Sequence, residues 1–282
     1  MQILVLNCAH VASQDDIVRA GGQTNDAFFR TALLRHDERV RTFTLNTADG
    51  ERLPQGMGLD DFDGAVISGS PLSVYEDRAE VRDQLGLARE VFERGIPTFG
   101  SCYGLQLMTQ ALGGRVRLNP KGREIGVARG IMLTDAGREH PMYRAKPAAF
   151  DALCSHQDEV EALPEGATLL ASNHVSDVQA AVIERGASSF WGVQYHPEFD
   201  FAMIAAIIAK QAQRHIDEGL ARSEAEVSEI ARDLRAVEGV ESRADLQWRM
   251  GLKADVIDPK TRSAEFGAWL DHKVRPKALA RA

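Results

Sequence analysis

A short apolar run, Ile96-Pro97-Thr98-Phe99, stops at Gly100-Ser101-Cys102-Tyr103-Gly104, and Leu105, Leu107, Met108, Ala111 and Leu112 then recur at helical spacing. Strand, sharp turn and helix in that order constrain the fold strongly. The turn residue must stand at the C-terminal edge of a sheet and at the N-terminus of a helix. Glycines on both sides of Cys102 accept the backbone angles and the close approach such a turn needs. A thiol held there meets the positive end of a helix, which favours thiolate over thiol. The same spacing also suits a small buried hydrophobe, the commoner fate of a free cysteine. Cys102 is therefore a candidate nucleophile, and the rest of the chain has to decide.

The 282 residues, 44% of them hydrophobic, suffice for one large domain, or for one domain plus an appendage, with a substantial core. A net charge of −8 repels phosphate backbones, so a nucleic-acid partner is disfavoured. Cys8, Cys102 and Cys154 cannot all pair and form no metal-type cluster, so the chain implies no metal and a reduced, cytoplasmic setting. No apolar run is long enough for a membrane span; that around Ala202 to Ala209 is too short. Met1 to Cys8 has no basic region ahead of its apolar stretch and reads as a first strand, not a signal peptide.

Ile3–Leu6, Val40–Leu45 and Phe62–Ser68 read as strands, the last ending in the turn Gly69-Ser70-Pro71. Thr24–Arg35 and Arg78–Arg94 show helical periodicity. Strands alternating with helices over short connections predict an α/β fold: a parallel sheet with helices on both faces. Sites in such sheets lie at the C-terminal strand ends, where Ser70 and Cys102 both fall. From Gly114 to Val193 short alternating segments predict a β-rich half closing the same domain. Residues 1–200 thus form one domain. Residues 201–282 read as a helical C-terminal extension, packed on the core or against a second copy in a homo-oligomer. Within it, Ser223 and Glu226 have capping-box spacing, and Asp258-Pro259 breaks the helical pattern.

The second half also holds Trp191-Gly192-Val193-Gln194-Tyr195-His196-Pro197-Glu198-Phe199. A strand runs into His196, Pro197 ends the ladder by removing a donor, and Glu198 is near enough to orient the imidazole. A cysteine nucleophile needs that set: a base for the thiol proton that later protonates the leaving amine, and a carboxylate to hold the tautomer. With both motifs in hand, the chain resembles the class I (triad) glutamine amidotransferases over roughly residues 1 to 200. It looks most like the glutaminase part of GMP synthetase and its free-standing relatives. Ile67-Ser68-Gly69-Ser70-Pro71 and Ser155-His156-Gln157-Asp158 support the resemblance.

The resemblance implies a class I glutamine amidotransferase fold, an open, mixed, mostly parallel sheet of flavodoxin-like type with helices on both faces, and a Cys-His-Glu triad. Cys102 would attack the side-chain amide of glutamine to give a γ-glutamyl thioester and ammonia. His196 would serve as base and then acid, with Glu198 orienting it. Backbone N–H groups of Ser70 and Tyr103 would form the oxyanion hole. Ser70 stands where the family usually has glycine, a change a backbone donor tolerates. Gln106 corresponds to the family's glutamine-binding side chain. Ser155, Gln157 and Asp158 fall in the segment holding the substrate's amino-acid end, Gln157 replacing a common glycine. No cofactor is implied. Read from the residues alone, Gln106 could simply line the elbow helix, and His156 with Asp158 could form a local hydrogen-bonded turn. Cys8 and Cys154 read as core, and Glu124, Ile125 and Gly126 as pocket lining without a catalytic role.

Neither a Gly-x-x-x-x-Gly-Lys-Ser/Thr phosphate loop nor a Ser-Gly-Gly-x-Asp pyrophosphate loop occurs. Three readings follow: a glutaminase handing ammonia to a separate synthetase, a stand-alone hydrolase of γ-glutamyl amides or peptides, or a binding protein that kept the fold. The third is the weakest, because nucleophile, base and orienter are all present.

Overall fold

The computed structural model describes residues 1–238 and 243–281. Its strands are β1 (Gln2–Asn7), β2 (Arg41–Asn46), β3 (Gly64–Ile67), β4 (Thr98–Ser101), β5 (Arg115–Leu118), β6 (Glu124–Leu133), β7 (Ala149–His156), β8 (Asp158–Ala162), β9 (Ala167–Ser172), β10 (Ala180–Arg185) and β11 (Ser188–Val193). The helices used below are α1 (Val11–Arg19), α2 (Asn25–Leu34), α3 (Ala79–Glu93), α4 (Tyr103–Ala111), α5 (Asp135–Glu139), α6 (Phe201–Lys210), α7 (Ala212–Asp217) and α8 (Glu224–Val237).

β1, β3 and β4 are buried almost throughout, with apolar residues 3–6 and 65–67 and Phe99 at their centres, as suits strands covered on both faces. They sit inside a nine-stranded sheet of order β2-β1-β3-β4-β11-β10-β9-β6-β7. Pairings from β2 to β11 are parallel and those from β11 to β7 antiparallel, so seven of the nine strands point one way. This is the mixed, mostly parallel sheet the resemblance implies. β5 and β8 form a separate antiparallel pair.

One face of the parallel half is covered by α3 and α4, through Val81, Ala88, Val91, Phe92, Leu105 and Met108. The other carries α2 and the chain's last helices. There Phe266 packs on Phe99 and Phe29 (ring centroids 4.7 and 5.8 Å), with Trp269 beside Phe99. Helices α6 and α8 pack together in a further cluster through Ile204, Ile208, Val227 and Leu234. At the start of α8, Ser223 Oγ accepts from the Glu226 N–H at 3.3 Å, but the Glu226 carboxylate takes the N–H of Arg222 instead of closing the reciprocal box.

Two elements escape periodicity. In β7, Asp151 interrupts the apolar run, yet it is buried because the Gly130 N–H and the Arg129 guanidinium bond its carboxylate. Helix α1 buries only Gln14, so it offers no apolar stripe to read.

The extension is tied down by charge as well as by aromatic rings. Lys146 Nζ lies 2.7 Å from Glu265 Oε1, both side chains essentially inaccessible, and Tyr195 OH donates to the same carboxylate at 2.6 Å. Tyr143 OH and Tyr195 OH lie 2.9 Å apart. Removing one member of a buried pair strands the other charge, so Lys146→Met should destabilise the fold by about 3–5 kcal/mol. Urea unfolding monitored by tryptophan fluorescence would read the loss.

Candidate active site

Three parallel strands end side by side. Ile67 of β3 is level with Gly100 of β4, and Val193 of β11 is level with Ser101. The turn after β3, the elbow after β4 and the segment after β11 therefore leave one sheet edge together. The Cys102 N–H donates to Val193 O at 2.8 Å, stitching elbow to strand.

Among the described residues other than glycine, only Cys102 has a positive φ, 52° with ψ −107°. Its backbone is strained, and the neighbouring packing maintains it. At Gly104, a Cβ would sit 2.4 Å from Ile67 O, so only glycine lets α4 close on β3. At Gly69, a Cβ would come within 2.8 Å of His196 Cε1. The turn after β3 thus bounds one side of the imidazole, and Phe199 stacks on it with ring centroids 3.8 Å apart at 2°.

His196 Nδ1 is 2.7 Å from Glu198 Oε1, and Ser101 Oγ donates to the same oxygen at 2.8 Å. Burial pulls the imidazolium pKa down. The Glu198 carboxylate and the adjacent Cys102 outweigh it, raising the value from 6.5 to about 10. Burial pushes the Cys8 thiol up to about 12 and that of Cys154 well above its ordinary value. Both are core thiols, as their strand contexts predict.

Four strands separate β4 from β7 in the sheet order, yet β7 reaches the elbow. His196 N–H donates to Leu153 O at 2.8 Å, and the Cys102 thiol donates to Ser155 O at 3.7 Å. The antiparallel half curls over the sheet edge and closes a cavity of about 300 Å³. Cys102, His196, Ser70, Gln106, Ser155, Gln157 and Asp158 all line it. Glu198 lies behind His196.

The polar residues have definite partners. Gln106 Nε2 donates to Asp158 O and Gln194 Oε1, both at 3.1 Å. The Asp158 carboxylate accepts from Ser73 Oγ (2.6 Å) and Tyr75 OH (3.0 Å), bridging β8 to the loop after β3. His156 is held between Glu124 Oε2 (2.9 Å) and Asp158 O (3.1 Å), a local hydrogen-bonded arrangement. Ser70 Oγ donates to Cys8 O, which fixes the turn. The N–H groups of Ser70 and Tyr103 take no acceptor among the described residues.

Some lining residues carry no motif. Ile17 comes from α1, Met203, Ile207 and Lys210 from α6, and Arg214 from α7. Nothing local marks them, because they join the cavity only through the packing of α1, α6 and α7 around it.

Residues 23–209 match the family described as glutamine amidotransferase class-I. The chain is 32% identical over 256 residues to the γ-glutamyl-L-1-hydroxyisopropylamide hydrolase of a Pseudomonas species, covering 89% of this chain and 85% of that one. It therefore belongs to the class-I glutamine amidotransferases. It is also 41% identical over 133 residues to the glutamine-hydrolysing GMP synthase of Streptomyces coelicolor, covering 47% of this chain and 23% of that protein. The chain thus spans only about a quarter of such a synthase. A glutamine amidotransferase from Thermotoga maritima superimposes with a TM-score of 0.68 over 97% of this chain and 98% of that one, at 18% identity, a likeness of fold.

Proposed function

We propose that this chain hydrolyses the side-chain amide of γ-glutamyl compounds through a thioester on Cys102. The single supporting observation is that Cys102 and a Glu198-held His196 leave adjacent strand ends and line one cavity. His196 takes the proton of the Cys102 thiol, and the sulfur attacks the amide carbon. The tetrahedral oxyanion is met by the N–H groups of Ser70 and Tyr103, where one such donor is worth about 10²–10³ in rate. His196 protonates the leaving nitrogen, which departs as ammonia or an amine. Water then attacks the thioester while His196 takes its proton, releasing the γ-carboxylate and restoring the thiol. Gln106 acts by holding the Asp158 backbone, and Ser155, Gln157 and Asp158 bound the substrate's amino-acid end. The chemistry needs a free thiol, which suits a reduced, cytoplasmic setting.

Glutamine is the first substrate, with ammonia passing to a separate synthetase. A second reading, a stand-alone hydrolase of N-substituted γ-glutamyl amides, is favoured by one observation. Similarity to the Pseudomonas hydrolase runs over 89% of the chain, whereas similarity to the GMP synthase covers 47%. Incubation with glutamine and with γ-glutamyl alkylamides, quantifying amine and γ-carboxylate products, tests both. No turnover of either sinks the proposal; efficient cleavage of alkylamides with glutamine poor selects the second reading.

The pH profile follows from His196. With its pKa raised, the protonated imidazole stabilises the fold fully below about pH 6.5, and that contribution is lost progressively as pH rises from there to about 10. The general acid disappears over the same upper range, so kcat/KM should fall on an alkaline limb near pH 10. Glu198→Gln removes the attraction that favours imidazolium and should move that limb to lower pH. A limb that stays put would show that Glu198 does not govern the histidine.

A further inference from the structure

The cavity wall built from α6, α7 and the residue preceding β6 is cationic. Arg123, Lys210 and Arg214 all line it. Arg123 Nη2 and Arg214 Nε share one carboxylate, Glu218, at 2.9 and 2.7 Å. Lys210 Nζ donates to Ser13 O at 3.0 Å and lies 3.7 Å from Asp16. Three cations thus face two carboxylates. The carboxylate that itself lines the cavity, Asp158, is already occupied by the hydroxyls of Ser73 and Tyr75. Donors are also left over. Arg123 Nε is buried and has no partner among the described residues, on a side chain only 7% exposed. Arg214 Nη2 spends its hydrogen bond on a neutral acceptor, Gln157 Oε1, at 2.8 Å. A substrate carboxylate would bond the Arg214 donor more strongly than Gln157 does, because the acceptor would be charged.

Gln157 ties Arg214 to the nucleophile's side of the cavity: Ser155 O accepts from the Cys102 thiol, Gln157 stands two residues further on and accepts from Arg214, and all four residues line the one cavity. We infer that Arg214, with Lys210 and Arg123 behind it, anchors the α-carboxylate of the γ-glutamyl substrate, so that the C-terminal helices set which amides are accepted. The inference rests on the proposed amide hydrolysis and adds the group that selects the substrate.

Two substrate pairs test it: γ-glutamyl-p-nitroanilide against its α-carboxamide, and γ-glutamylglycine against γ-glutamylglycinamide. The native enzyme should prefer the free α-carboxylate. Arg214→Ala should shrink that preference at least about tenfold, mainly through KM, as loss of a charge-assisted bond would. Arg214→Lys should restore part of it. Arg214 is half-exposed, so the variant should fold, and a thermal melt checks this. Equal losses on both members of the anilide pair would reduce Arg214 to a structural role and overturn the inference. An effect confined to the glycine pair would also overturn it, moving the anchored carboxylate to the leaving group. A native enzyme that cleaves both α-forms equally loses the anchor and keeps the hydrolysis; one that cleaves nothing loses both.

Discussion

Alanine at position 102 should abolish hydrolysis, a drop of roughly 10⁴–10⁶ in kcat, because no other group can form the thioester. The fold should survive. The side chain is buried, but its described hydrogen bond is one long contact to Ser155 O, and a methyl group fills most of the same space. A chloroketone mimic of glutamine should label the native protein on Cys102 and leave Cys102→Ala unmarked, as mass spectrometry of the peptide would show. Cys8→Ser is the matching control, because the buried Cys8 thiol stays protonated and should be dispensable. Glycine at position 102 separates chemistry from strain. It should be equally inactive, yet melt above Cys102→Ala, since φ 52° with ψ −107° costs an L-residue about 1–3 kcal/mol and glycine little. Equal melting temperatures would mean the elbow stores no strain.

His196→Ala should lower kcat/KM by about 10³–10⁵. General acid–base transfer accounts for roughly 10²–10⁴ of this, and loss of the partner that activates the thiol adds more. Glu198→Gln should cost less, because Ser101 Oγ still holds the residue in place and only the charge is lost. The stacked Phe199 leaves a ring-shaped gap in the alanine variant. Added imidazole should therefore restore measurable turnover in proportion to its neutral form. Activity within tenfold of native in His196→Ala would remove the histidine from the reaction, and the proposed mechanism with it.

The parts of this molecule that could be read from residue order are those whose physics is local. Gly100-Ser101-Cys102-Tyr103-Gly104 marks an elbow because turn angles and the helix start depend on neighbours in the chain. The run ending at His196-Pro197-Glu198 is equally local, since proline stops a ladder and a carboxylate two residues on can reach its histidine. Alternating apolar segments likewise announce a sheet covered by helices, and burying both faces of β1, β3 and β4 requires those patterns.

What residue order left open involves groups far apart in the chain. Periodicity could not show Gln106 spending its amide on Asp158 and Gln194, or Asp158 bridging to Ser73 and Tyr75. Nor does any local pattern mark Lys210 and Arg214 as cavity residues, for they reach the site only through the packing of α6 against Phe28, Leu153 and Phe199, with α7 following it. A side chain's neighbours across a curled sheet follow from how every layer packs at once, and no window of sequence carries that sum.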